Sequence, residues 1–120
     1  MEEIKSWGYH LMLDCGSAPI EKIADYDNIY KFVKQLVKDI DMIAYGEPQI
    51  VKFGNGNKAG YTLIQLISTS NIAAHFCEEN GDFYLDVFSC KPFDPAIVID
   101  LVDEYFKPAS VRDTYLERQA

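Results

Sequence analysis

Cysteine is scarce in this chain: three thiols, Cys15, Cys77 and Cys90, among 120 residues. The number is odd and no C-x-x-C pair occurs, which excludes a disulfide framework and a cysteine zinc site. No metal site is expected. Free thiols fit a reducing, cytoplasmic setting. Long apolar runs are missing too. None approaches the ~18 residues of a membrane span, so no membrane partner is expected. The opening MEEIKSWGYH lacks the basic start and apolar stretch of a secretory signal. Basic residues are few. Eleven Lys and Arg, scattered, face nineteen Asp and Glu, for a net charge of −8. Such a chain repels phosphate backbones, which argues against a nucleic-acid partner. Repeats, low-complexity segments and linkers are absent. The glycine-rich GNGNKAG lacks Gly-Lys-Ser/Thr and no helix follows it, so it is a turn and not a phosphate loop.

What remains is an ordinary globular composition, 48% hydrophobic and 25% charged. The length suits one domain, residues 1–120, with one core. WGYHLMLDC (7–15) reads as a strand. Ile29, Phe32, Val33, Leu36, Val37 and Ile40 recur at helical spacing, which predicts a helix over 27–42 with Asp25 or Asp27 as its cap. PQIVKF (48–53) and YTLIQLIS (61–68) read as strands. A second helix is predicted over 94–106, opened by Asp94 at the cap and Pro95 in the first turn. Its inward face is expected to carry Ile97, Val98, Leu101, Val102 and Tyr105. SVRDTYLE (110–117) reads as a last strand. Strand-rich runs broken by two helices predict an α+β two-layer sandwich: an antiparallel sheet with both helices on one face.

Between the last two elements lies a hairpin signal. NIAAHFCEE and DFYLDVFSC flank Asn80-Gly81, the pair favoured in a type I′ turn. A two-residue turn there would set His75 opposite Asp86, Asn71 opposite Cys90 and Cys77 opposite Tyr84. Alternation sends Ile72, Ala74, Phe76, Leu85 and Val87 towards the helices. The other face carries Asn71, Ala73, His75, Cys77, Tyr84, Asp86, Phe88 and Cys90. That mixture suits a site or a subunit interface better than open solvent.

Four residue types on this face and its edges hold a fixed spacing. Ser70 is followed by His75 five residues later and by Cys90, closing DVFSC, twenty later; Thr62 precedes it by eight. With GYHL (8–11) and the helix DPAIVIDLVDEYF, this pattern resembles the prokaryotic-type S-adenosylmethionine decarboxylases. The resemblance covers most of the chain, is strongest from Thr62 to Phe106 and weakest from about Pro19 to Gly60. It implies a chain that cleaves itself before Ser70 and converts that serine into a pyruvoyl cofactor. It implies that Thr62 and His75 assist the cleavage and that Cys90 donates the proton that quenches the substrate carbanion. It implies Glu79 as a substrate ligand, S-adenosylmethionine as substrate, polyamine (spermidine) synthesis as the setting and a homodimer as the assembly.

The residue types suit that chemistry. A serine hydroxyl is weak at its own pKa and needs polar help to attack the carbonyl before it. Histidine and cysteine exchange protons near neutral pH. A pyruvoyl ketone serves as an electron sink. The chain departs from the family's Glu-Ser-His, which is Thr69-Ser70-Asn71 here, and Tyr9 stands at the family's N-terminal arginine. Two other readings therefore stay open: a pyruvoyl decarboxylase of arginine or ornithine, and a non-cleaving paralogue that binds or regulates. Without the pattern, each residue has a plainer explanation. Ser70 is polar strand edge, Cys90 a small apolar group, Thr62 a strand former, Glu79 a solvated charge and His10 a filler. Ser70 and His75 also have opposite parity along a strand, so a bend is required at Ser70.

Overall fold

The structure, a computed structural model, describes residues 6–120; Met1–Lys5, part of the opening stretch without a signal, lie outside the described residues. Six strands form one antiparallel sheet: β1 (Gly8–Gly16), β2 (Ala44–Phe53), β3 (Gly60–Ile67), β4 (Ser70–Phe76), β5 (Phe83–Ser89) and β6 (Ser110–Arg118). Their order across the sheet is β2-β3-β4-β5-β1-β6. Two long helices, α2 (Tyr26–Asp39) and α3 (Pro95–Phe106), cover one face, making the expected two-layer α+β sandwich. A short turn of helix, α1 (Ile20–Ile23), precedes α2, and a 3-10 turn (Gly56–Lys58) lies between β2 and β3. No helix among the described residues is long and apolar enough to cross a membrane.

Each helix starts where an acceptor side chain meets the orphan amides of its first turn. Asp25, and not Asp27, caps α2, accepting from Asp27 N at 3.0 Å and Asn28 N at 3.4 Å. Asp94 caps α3, accepting from Ala96 N at 2.9 Å, with Pro95 at the first helical position. The stripe Ile29, Phe32, Val33, Leu36 and Val37 is buried on α2. On α3 the buried face is Val98, Leu101, Val102 and Phe106; Ile97 turns outward at 36% exposure and Tyr105 is half-buried. The expected face is thus rotated towards Phe106.

Phe106 joins the two layers. Its ring centroid lies 4.8 Å from that of Phe32 on α2, 5.3 Å from Phe76 on β4 and 5.1 Å from Phe83 on β5. Aromatic pairs in such tilted geometry add to the stabilisation from burial alone. Strand β2 is longer than expected because a bulge hides its first half. Tyr45 pairs with Leu66 and Gln49 with Ile64, leaving Gly46, Glu47 and Pro48 opposite the single Gln65. The buried Gln65 donates from Nε2 to the Gly46 carbonyl at 3.2 Å, so the bulge keeps a partner where Pro48 cannot pair.

Two turns position the β3-β4-β5 region. The loop between β4 and β5 is not a two-residue type I′ turn. It spans Glu78–Gly81, closed by Cys77 N to Asp82 O at 2.8 Å and Gly81 N to Cys77 O at 3.0 Å. A type I′ turn needs positive φ at both residues; Gly81 has φ 82° and Asn80 does not. Instead the loop docks on the exit of β1, where Ala18 N donates to Gly81 O at 2.9 Å and Ser17 N to Asp82 Oδ1 at 2.9 Å. The register therefore moves by two residues: His75 faces Tyr84, Asn71 faces Phe88 and Asp86 faces Ala73, while Cys77 pairs with Asp82. A shift of two keeps every side chain on its face. Hence Ile72, Ala74, Phe76, Leu85 and Val87 are buried beneath the helices as expected.

The turn between β3 and β4 is tighter. Ile67 pairs with Ser70, so only Ser68 and Thr69 form the loop. Neither is glycine and neither has positive φ; the departure falls on Ser70, with φ 153°, a value that residues with side chains rarely adopt. It does not bring Ser70 to His75: Ser70 stays paired with the inward Ile67 and Ser89, and His75 stands exposed on the other face. Two outcomes are expected in denaturant titrations. Phe106→Ala should lose about 3–5 kcal/mol, as for a large buried aromatic, and a loss under about 1 kcal/mol would contradict the central place of Phe106 in the core. Ser70→Gly should be more stable than Ser70→Ala by about 1 kcal/mol or more, because glycine relieves the strain and alanine keeps it. Equal midpoints would remove the strain at Ser70.

Candidate active site

The peptide bond joining Thr69 to Ser70 lies at the corner where the β3–β4 turn meets the end of β5. Ser70 is paired with Ser89, the last residue of β5. The next residue, Cys90, donates its backbone N–H to the Thr69 carbonyl at 2.9 Å. That carbonyl is the group a Ser70 hydroxyl would attack. A backbone donor at this distance stands where the oxygen of a tetrahedral intermediate needs stabilisation. The Cys90 side chain is exposed at the same corner and Ser70 is half-buried. A strained serine, its preceding carbonyl already held by an amide, and a thiol one residue along from the serine's partner fit conversion of Ser70 into a pyruvoyl group.

Thr62 and His75 form a second group. They are cross-strand partners on β3 and β4, with Thr62 Oγ1 3.4 Å from His75 Nδ1. His75 is exposed on the open face of the sheet. Five residues of strand separate it from Ser70, which is ~17 Å at the usual rise. Within the chain the structure brings Thr62 to His75 and Ser70 to the corner beside Cys90, and keeps the two pairs apart. Glu79 is exposed in the β4–β5 loop, beyond His75 and farther still from Ser70. Its neighbour Glu78 meets Lys52, with Nζ to Oε1 at 2.9 Å.

The expected pairing of His75 with Asp86 does not form, because the longer loop sets Tyr84 opposite His75. Asp86 instead meets His10, taken from sequence as a filler. Asp86 Oδ1 lies 3.3 Å from His10 Nε2, and Arg118 Nη1 lies 3.2 Å from His10 Nδ1. Arginine only donates, so Nδ1 accepts and Nε2 carries the hydrogen towards Asp86. The Arg118 guanidinium also lies 5.3 Å above the Phe88 ring, and Trp7 packs on the same ring at 5.9 Å. Trp7, Phe88, Arg118, Gln119 and Ala120 line a cavity of about 440 Å³. Phe88 is two residues before Cys90, so this cavity adjoins the Ser70 corner. The signal for the cluster was the period-2 alternation of β1, which sends His10 to the open face with Met12.

The substitutions relative to the family fall in different places. Tyr9 is buried on the helix side, stacked on Tyr115 at 6.4 Å, and so lies behind the sheet from the open face. Asn71 lies on the open face between Leu66 and Phe88. Of the thiols, Cys15 is buried, and burial, with the Asp14 charge adding to it, pushes its pKa up to about 12. It is therefore a poor nucleophile and a structural group.

The chain is similar to known proteins over nearly its whole length. The family model described as S-adenosylmethionine decarboxylase matches residues 9–119. An S-adenosylmethionine decarboxylase proenzyme of Clostridium botulinum is 25% identical over 113 residues, covering 92% of this chain and 94% of that protein. The proenzyme of Geobacillus kaustophilus is 26% identical over 107 residues, covering 89% and 82%. The crystal structure of the adenosylmethionine decarboxylase of Aquifex aeolicus VF5 superposes with a TM-score of 0.81 at 22% identity, covering 98% of this chain and 94% of that one, and so shares the fold. With the match running over nearly its whole length, the chain belongs to the S-adenosylmethionine decarboxylase family.

Proposed function

We propose that the protein is a cytoplasmic homodimer that cleaves itself before Ser70, carries the resulting pyruvoyl group and decarboxylates S-adenosylmethionine for polyamine synthesis. The observation that carries this reading is the Cys90 N–H on the Thr69 carbonyl beside a strained Ser70. The Ser70 hydroxyl adds to the Thr69 carbonyl carbon while Cys90 N–H holds the oxygen. The C–N bond then breaks and the freed nitrogen takes the hydroxyl proton, leaving an ester between Thr69 and the Ser70 side chain. His75, oriented by Thr62, removes the α-proton of residue 70. The Cβ–Oγ bond breaks, Thr69 leaves as a carboxylate and residue 70 becomes a dehydroalanine. Its imine tautomer takes up water and loses ammonia, which ends residues 70–120 in a ketone. The pyruvoyl carbonyl supplies the electron sink for decarboxylation. Cys90 returns a proton to the carbon that has lost carbon dioxide.

His75 cannot serve the Ser70 of its own chain across ~17 Å. A second copy supplies it. The open face exposes Tyr84 (48%), Leu66 (51%) and Leu116 (45%), apolar surface that favours a partner. A two-fold axis midway between the two groups exchanges them, setting His75 and Thr62 of one copy against Ser70 and Cys90 of the other. Glu79, at the His75 end, then joins the partner's site as a substrate ligand. The cavity beside Cys90 offers Trp7 and Phe88 as flat apolar surfaces for an adenine. The net charge of −8 favours approach of a substrate that is a cation at neutral pH.

Ornithine and arginine have no adenine to fill that cavity. Carbon dioxide release is therefore expected from S-adenosylmethionine and not from ornithine or arginine; release from either amino acid alone would reject the substrate. The dimeric site has its own test. Ser70→Ala and His75→Ala chains should each fail to cleave, or cleave slowly, alone. Co-expressed, the His75→Ala chain should cleave, since its intact Ser70 meets the His75 of a Ser70→Ala partner. Absence of rescue in a demonstrated heterodimer would contradict a shared site.

A further inference from the structure

Ser89 is fully buried and carries a hydroxyl in a strand whose other inward residues, Phe83, Leu85 and Val87, are apolar. Packing alone gives no reason for a polar group there, and a buried hydroxyl needs partners. It has them in a chain that uses each proton once. Lys91 N–H donates to Ser89 Oγ at 3.0 Å, Ser89 O–H donates to Thr69 Oγ1 at 2.8 Å, and Thr69 O–H donates to Met42 Sδ at 3.2 Å. The near-buried Met42 ends the chain as a weak acceptor. The far side is tied down as well: Lys91 Nζ donates to the Asp41 carbonyl at 2.7 Å and to its carboxylate at 2.9 Å.

We infer that Ser89 is a positioning residue for chain cleavage, acting through Thr69. Two consecutive residues grip Thr69 at two points: Ser89 holds its side-chain oxygen and Cys90 N–H holds its carbonyl. Held at both, Thr69 and its carbonyl are restrained beside Ser70. Attack on a carbonyl demands a fixed approach to its plane, and small misplacements are costly. The grip also gives Thr69 a purpose at a position where the family's pattern has glutamate. Its short hydroxyl reaches inward to Ser89.

This inference rests on Ser70 as the cleavage residue. The test follows chains made in a cell-free translation system, with the rate of splitting read on gels after translation is stopped. Ser89→Ala and Thr69→Val should each slow splitting about tenfold, the loss of one buried hydrogen bond. The double variant should be no slower than either single variant, because both remove the same contact. Ser89→Thr, which keeps the hydroxyl, should split within a few-fold of wild type. Thr69 is half-exposed, so Thr69→Val tests the same contact should Ser89→Ala unfold. Splitting of Thr69→Val at the wild-type rate, or losses that multiply in the double variant, would overturn the role of Ser89 while Ser70 stands. A wild-type chain that never splits would overturn the reading of Ser70 and this role with it.

Discussion

A two-residue connection without glycine joins β3 to β4, and the rest of the site follows from how that connection is held. Ser68 and Thr69 turn the chain through a hairpin that usually calls for positive φ within the loop. Here the unusual torsion passes to Ser70. A strained residue at a strand start costs of order 1–3 kcal/mol and persists only where its surroundings over-determine it. Three contacts do so: pairing of Ser70 with Ser89, the Cys90 amide on the Thr69 carbonyl, and the Ser89 hydroxyl on the Thr69 side chain.

The core supplies the rigidity that this corner needs. Phe106 locks α3 against α2 and against β4 and β5, the two strands that carry Ser70 and Ser89. The β4–β5 loop, docked on the exit of β1, fixes the register at the opposite end. Register is the decisive quantity, since a slip of one residue would turn His75 and Phe88 into the core. With the register fixed, one face is apolar and closed by helices. The other carries Thr62 with His75, while Ser70 and Cys90 meet at the far corner, where the β3–β4 turn reaches the end of β5.

Much of this was legible in the sequence, for reasons that can be named. Helices α2 and α3 were readable because their apolar stripes and caps, Asp25 and Asp94, are local signals. The assignment of residues to the two faces of β4 and β5 was readable because alternation survives a register shift of two. The register itself was not, because Asn80-Gly81 is a strong local turn signal overridden by contacts with Ser17 and Ala18, which lie far away in sequence. The first half of β2 was hidden by Gly46 and Pro48, residues that usually end a strand. Spacing picked out Thr62, Ser70, His75 and Cys90 together. It carried no distance, and so could not reveal that they form two pairs. His10 and Ser89 were missed since their partners, Arg118, Asp86 and Thr69, are set by strand order.

The central claim is that this chain makes its cofactor from Ser70, and intact-mass spectrometry of the purified protein tests it most directly. The account predicts two fragments, residues 1–69 and residues 70–120, the smaller beginning in a ketone in place of serine and gaining two hydrogens on borohydride reduction. A single full-length mass, unchanged after long incubation, would contradict it and leave a non-cleaving binding or regulatory subunit as the function of the fold.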